Sequence, residues 1–313
     1  MKFKSLQISI KRNANKQVLV QYIIYSFQVL INMVYRNTKM NKCILLLVLL
    51  ISNIFFSQNQ QFIYEYKYIS DSTQKQNIEN EIMILSIGKE KSEYFSQSAY
   101  AVDSVLSENF KRGINSMPPN KIMTYTRVIK RNSSYDNLDF FENIDNKRYN
   151  INQEIHLQWE LSNETLLILN FKAQKATTQY GGRKWTAWFC KEIPIPNGPY
   201  KFGGLPGLIV KLEDNTKSYI WELKGIKHKK GNFEYPIRSR DTDAIKITYP
   251  QYIKAFRNYR NDPSASIGEI PDHYSGGKFI NGIEKKRERI KQYKEDFLKD
   301  NNIIEIDMLK KLN

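Results

Sequence analysis

The chain has 313 residues, 41% hydrophobic and 13% aromatic, and carries a formal net charge of +16. It is long enough to bury one sizeable core without covalent staples. Its 2 cysteines and 3 histidines exclude a disulfide framework and leave little for a metal cluster.

Part of the charge belongs to the N-terminus. Met40-Asn41-Lys42 opens the stretch MNKCILLLVLLISNIFFSQNQQ, in which a basic start is followed by an apolar run from Cys43 to Phe56. That order matches a secretory signal peptide over 40–57. The run is shorter than the ~20 residues a spanning helix needs, which argues for cleavage. The cut is expected between Ser57 and Gln58, although Phe55 fits the minus-three position poorly. Residues 1–39 contain a second apolar stretch, VLVQYIIYSFQVLINMVY (18–35). It reads as an upstream extension ahead of initiation at Met40, as a signal anchor, or as half of a membrane hairpin. The first is favoured because such leaders sit at the N-terminus.

Removing residues 1–57 removes eight Lys/Arg and no acid, since Glu65 is the first acidic residue, so +16 less eight leaves +8. The remaining lysines are scattered. A nucleic-acid surface needs a clustered stripe, so no nucleic-acid partner is expected. The membrane is expected to be met only transiently, through the leader. Cys190 remains as the one thiol after cleavage, and no intrachain disulfide is expected.

Residues 58–313 read as one domain dominated by a period of two, the mark of half-buried strands. FIYEYKYI (62–69), EIMILSI (81–87) and SEYFS (92–96) come first, the last two as a hairpin across Gly88-Lys89. Tyr100, Val105, Leu106 and Phe110 have helical spacing, with Gly113 as the stop. KIMTYTRVI (121–129) reads as extended and NSSYDN (132–137) as a loop. The densest strands are IHLQWEL, TLLILNFKAQKATTQY, RKWTAWFC, GLIVKLED and SYIWELKGI, between Ile155 and Ile226. Their joints at Ser162-Asn163, Gly181-Gly182 and Asn215-Thr216 are short enough to force antiparallel neighbours. The predicted fold is therefore mainly β, a curved antiparallel sheet or partly open barrel with one or two flanking helices. Further on, AIKITY (244–249) reads as a strand, QYIKAFRNYR as a short helix and 263–278 as a loop. A charged helix spans 282–300, with Ile283, Ile290, Tyr293 and Phe297 as its seam.

GPYKFGGLPGLIV (198–210) could be a phosphate loop or a constrained turn. A phosphate loop needs a following helix and a Gly-Lys-Ser/Thr end. Here LIVKLED alternates as a strand, so the turn is the better reading. Prolines remove donors and fix φ, while Gly198, Gly203, Gly204 and Gly207 allow positive φ or close approach. Leu205, beside Pro206, and Leu208 are expected to point inward, which makes the segment a packing device.

The same residues resemble a known family. QKATTQYGGRKWTAWFCKEIPIPNGPYKFGGLPGLIVKLED (174–214) is similar to the QKA, GR-x-W-x-AWF, IP and GPYKF-x-GLPGLI blocks of the GLPGLI family of Bacteroidota proteins. KDNNIIEID resembles its closing NNPIE block, with Ile303 replacing the proline. The resemblance implies an exported protein and no established activity, cofactor or catalytic residue. It also implies a cysteine in many relatives where this chain has Ala173.

A direct search for chemistry yields no assignment. His156, His228 and His273 form no ligand-spaced pair, no GxSxG elbow occurs, and Cys190 has no partnering base in sequence. Glu192 is expected to pair with Arg183 or Lys184. Asp71-Ser72-Thr73 and Asp103-Ser104-Val105 resemble O-glycosylation tripeptides. The aromatics offer the better lead. Trp185 and Phe189 share one strand face, Trp188 takes the other, and Trp221 lies on an expected neighbour. Such residues either fill a core or floor an apolar-ligand site. The expectation is an exported protein, periplasmic or secreted and without a cofactor, that binds an apolar ligand or an outer-membrane protein. The alternatives are a hydrolase and a structural accessory of an envelope complex.

Overall fold

The computed structural model describes residues 59–114, 124–132, 134–145, 147–229, 233–236, 239–262 and 267–310. The expected extension and leader, 1–39 and 40–57, lie outside them, as does Gln58. In the remainder the chain is mainly β, as its alternation predicts.

Twelve strands form one sheet. They are β1 (Asn59–Tyr68), β2 (Glu79–Ile87), β3 (Lys91–Ser96), β4 (Arg127–Arg131), β5 (Ser134–Ile144), β6 (Lys147–Glu154), β7 (Glu160–Ile168), β8 (Phe171–Tyr180), β9 (Arg183–Cys190), β10 (Leu208–Asp214), β11 (Tyr219–Lys229) and β12 (Ile245–Thr248). Their order is β12-β6-β5-β4-β3-β2-β1-β11-β10-β9-β8-β7. The pairings are antiparallel except for β12 against β6, which is parallel. A separate two-stranded hairpin joins β13 (His273–Ser275) to β14 (Lys278–Ile280). The helices are α1 (Gln97–Lys111), the single turn α2 (Ser239–Thr242), α3 (Tyr249–Asn261) and α4 (Gly282–Lys299). A 3-10 turn follows at Ile306–Leu309.

One hydrogen bond reveals how strongly the sheet curls. Gln153 on β6 donates from Nε2 to the Tyr180 hydroxyl on β8 at 3.3 Å, yet nine strand-to-strand steps separate these strands. Laid flat, that path would span roughly 40 Å at about 4.8 Å per step. The sheet must therefore bend back on itself. It stays open because β12 and β7 do not pair, and residues 155–159 bridge part of the gap. Thr178 donates there to the Gln158 carbonyl at 2.6 Å, and the Trp159 indole donates to the Gly203 carbonyl at 2.9 Å.

Alternation decides which side chains turn inward. On β1, Phe62, Tyr64 and Tyr66 are buried between less buried neighbours. The expected helix at 100–112 is α1. The Ser96 side chain caps it by accepting from Ala99 N, and Gly113 ends it at φ 72°. Its inner face differs from the expected seam: Ala99, Val102 and Leu106 are buried, while Val105 and Phe110 are exposed.

Four other expectations are corrected. The 132–137 stretch is not a loop, because β5 begins at Ser134. Ser162-Asn163 is not a joint; it falls where the β7–β8 register shifts, and a bulge takes up the extra residues. The single strand expected across 165–180 is two strands. Leu169 and Asn170, at φ 47° and 68°, form a two-residue hairpin turn that pairs Ile168 with Phe171. Finally, the expected loop 263–278 includes β13 and the start of β14.

Candidate functional site

The aromatics of the concave face were expected either to fill a core or to floor a ligand site, and the chain fills that face with its own side chains. Trp185 on β9, Phe189 on β9 and Trp221 on β11 are each 0% exposed. Tyr66 stacks on Trp221 at 4.6 Å, and Tyr200 stacks on the same ring at 6.3 Å. Phe202 packs at 4.8 Å from Trp185. The indole donors are also committed, Trp221 to the Tyr94 hydroxyl at 2.7 Å and Trp185 to the Tyr180 carbonyl at 2.9 Å. Trp188 faces the other way, half-buried beneath Lys175. The four aromatics thus do not assemble into an open floor. Tyr200 and Phe202, from the glycine-proline segment, occupy the position a ligand would take.

Residues 191–207 can fold inward because their backbone contacts are tightly set. The Asn197 amide donates to the Ile195 carbonyl, and Gly204 N donates to the Pro196 carbonyl at 3.0 Å. Gly207 has φ 155°, and a Cβ there would lie 2.1 Å from the Cys190 carbonyl oxygen. No side chain fits at that point. Leu205 and Leu208 are buried as expected, and the Tyr64 hydroxyl donates to the Ile209 carbonyl at 2.7 Å.

Two buried lysines, unforeseen in the sequence reading, tether this segment. Lys130 on β4 donates to Asn197 Oδ1 at 2.9 Å, the Gly198 carbonyl at 3.1 Å and the Phe202 carbonyl at 2.6 Å. Burial lowers its ammonium pKa to about 7. Lys201 donates to Gln153 Oε1 at 2.8 Å and to Glu305 Oε1 at 2.5 Å, and lies 3.6 Å from the Phe140 ring centroid. The Tyr200 hydroxyl also reaches Glu305 Oε1, at 2.7 Å, while the Tyr249 hydroxyl donates to Oε2. Burial pushes the Glu305 carboxyl upward. The Lys201 ammonium and the two phenols outweigh that effect and hold it below the usual carboxylate range.

Glu305 belongs to a closing segment seated against the turn at Gly181-Gly182. Arg183 donates to the Ile303 and Ile304 carbonyls, to Asn302 Oδ1 at 2.6 Å and to Asp214 Oδ2 at 3.0 Å. Asn302 Nδ2 donates to the Ile69 carbonyl at 2.7 Å, and the Tyr219 hydroxyl donates to the Asn302 carbonyl. The GGR, GPYK and NNIIE stretches, scattered along the sequence, therefore meet in one buried polar cluster. Its groups are satisfied by one another, which makes it a lock holding three chain segments together.

The remaining candidates do not converge. Glu192 is exposed and accepts weakly from Lys172 N at 3.5 Å, away from the pairing expected with Arg183 or Lys184. His156, His228 and His273 are all exposed. Among the described residues, no group of three or more His, Cys, Asp or Glu is placed to hold a metal. Ser104 donates to the Tyr100 carbonyl within α1 and its neighbour Asp103 is buried, whereas Ser72 lies on the exposed surface. Ala173 faces Cys190 directly across β8 and β9, so a thiol at that position would confront Cys190. Cys190 itself is fully buried, and burial raises its thiol pKa. Native protein is expected to resist an aromatic disulfide reagent at pH 8 and to react completely in urea. Rapid native labelling would contradict the packing around β9.

Comparison with known proteins bears on the signature segment. The family profile described as "Protein of unknown function (Porph_ging)" matches residues 181–211. No curated protein matches the chain at a significant level. Two solved structures of PNGF-II, in the C2 and P21 space groups, are each similar at 15% identity with a TM-score of 0.45. They cover 65% and 71% of this chain, and the chain spans only 33% and 37% of theirs. The segment from Gly181 to Lys211, which runs from β9 through the inward-folded residues 191–207 into β10 and meets the closing residues, carries the signature of the GLPGLI-type Porph_ging family, whose function is unknown.

Proposed function

We propose that this protein is exported and acts at the cell envelope as a non-catalytic binding protein, using its outer surface. The observation carrying this reading is the filled concave face. Tyr200, Phe202, Leu205 and the Lys201–Glu305 pair occupy the space where a carrier or enzyme would keep a cleft. The polar groups nearest the centre bond to each other, which leaves recognition to the exterior. Export is supported by the basic and apolar order of 40–57. The location is periplasmic or extracellular, and the partner is a component of the envelope such as an outer-membrane protein or lipid.

Cell fractionation with N-terminal sequencing tests this. The expected result is a processed chain beginning at Gln58 in the periplasm, envelope or medium. Full-length protein confined to the cytoplasm would overturn the reading.

A further inference from the structure

A depression on the outer surface combines apolar and cationic side chains. It measures about 420 Å³ and lies between α3 and α4 beside the closing turn. Phe256 and Phe297 supply an apolar floor, over which the Arg260 guanidinium lies at 5.6 and 4.9 Å, Leu298 supplies an exposed apolar edge, and Arg257 and Lys294 supply further charge. Among the described residues that line it there is no Asp or Glu. Of the cations, Arg260 is partly neutralised, since Nη1 donates to Asp300 Oδ2 at 2.8 Å. Arg257 meets only neutral acceptors in its hydrogen bonds, the Met308 carbonyl at 2.9 Å and the Asp307 carbonyl at 3.2 Å. Lys294 stands exposed at the rim next to Leu298, whose side chain is 74% exposed.

The positive, apolar character continues along α4. Residues 283, 287, 291, 294 and 298 fall on one flank at helical spacing. They are Ile283, Arg287, Lys291, Lys294 and Leu298, with no acid among them. Glu284 and Glu295 border that flank on the Lys291 side, Glu295 lying 3.9 Å from Lys291 and offsetting part of its charge, so the cationic character is strongest at Arg287 and Lys294. A cationic rim over an aromatic floor complements a molecule with an anionic head and an alkyl tail.

We propose that the α3–α4 depression binds an anionic amphiphile, its phosphate or carboxylate head between Arg257 and Lys294 and its alkyl chain along Phe256, Phe297 and Leu298. This deepens the envelope reading by naming a ligand class for the outer surface. It rests on that reading only for where the ligand would be met. Binding is measured on purified protein and export on cells, so the two can fail separately.

Isothermal titration with sodium dodecyl phosphate below its micelle concentration is the direct test, with inorganic phosphate and dodecyl maltoside as the head-only and tail-only probes. Dodecyl phosphate is expected to bind at one site per chain, and both single-feature probes at least about tenfold more weakly. Lys294→Glu and Leu298→Asp, at exposed positions, should each weaken dodecyl phosphate about tenfold while leaving the melting temperature unchanged. Four results would overturn the proposal: no binding, equal binding of phosphate alone, equal binding of dodecyl maltoside, or binding insensitive to both variants.

Discussion

Gly207→Ala is expected to unfold the protein or remove more than about 4 kcal/mol of its stability, the range reserved for changes the backbone cannot absorb. The added methyl would sit 2.1 Å from the Cys190 carbonyl oxygen and 2.6 Å from its carbonyl carbon, and both are backbone atoms of β9. A flexible side chain could swing away; a strand paired on both sides cannot. The φ of 155° adds conformational strain for any residue with a Cβ. To relieve the clash, Leu208 must leave the Ile193 carbonyl that it meets at 2.9 Å, which separates β10 from β9 and lifts Leu205 from the core. Gly204→Ala is the matched control. Gly204 has φ 84° but open space around its Cα, so only the strain of about 1–2 kcal/mol is expected. Urea unfolding followed by tryptophan fluorescence distinguishes the two. Equal effects at both glycines would show that the close approach to Cys190 is not structural.

Lys201→Met and Glu305→Gln are each expected to cost about 3–5 kcal/mol, because each leaves a buried partner uncompensated. Lys201 is 3% exposed and Glu305 5%, so water cannot replace the lost contact. The double variant Lys201→Met/Glu305→Leu should cost less than Lys201→Met and Glu305→Leu added together, since replacing a whole buried pair is gentler than halving it. It will not restore full stability. The Tyr200 and Tyr249 hydroxyls and the Gln153 amide oxygen all lose acceptors or donors within the cluster.

The sign of the acid dependence follows from the Glu305 carboxyl, which is held below its unfolded value. Its contribution is present above the unfolded carboxylate value of about 4.3 and is lost as pH falls through the folded value. The gap between wild type and Glu305→Gln should therefore narrow below about pH 4. A gap that stayed constant with pH would mean that Glu305 is not ionised in the fold.

Periodicity made parts of the fold legible in the sequence. RKWTAWFC matches β9 from Arg183 to Cys190 because alternation is strong there and a Gly-Gly turn precedes it. β5 and β6 were missed because Asn and Asp crowd them; such residues usually mark turns. The turn at Leu169-Asn170 was hidden because leucine gives no signal for positive φ. The aromatic face was legible as a face that either fills a core or floors a ligand site, but the residues that fill it were not legible. Tyr200 and Phe202 come from a loop whose direction is set by tertiary contacts. The lysine–glutamate lock was beyond reach for the same reason, since 104 residues separate Lys201 from Glu305. α4 was read with nearly its observed limits and α3 in part, yet the depression between them exists only once the chain folds back.

Native-state hydrogen exchange at the amides of Phe202, Gly204, Leu208 and Ile209 discriminates most directly between a buried plug and a movable lid. These four donate to the Pro199, Pro196, Ile193 and Asn197 carbonyls at 2.9 to 3.1 Å. A plug opens only when the whole domain unfolds, so all four should exchange with the global unfolding free energy. Exchange several kcal/mol below that value, while β9 and β11 stay protected, would show that the segment opens by itself and that the concave face can admit a ligand.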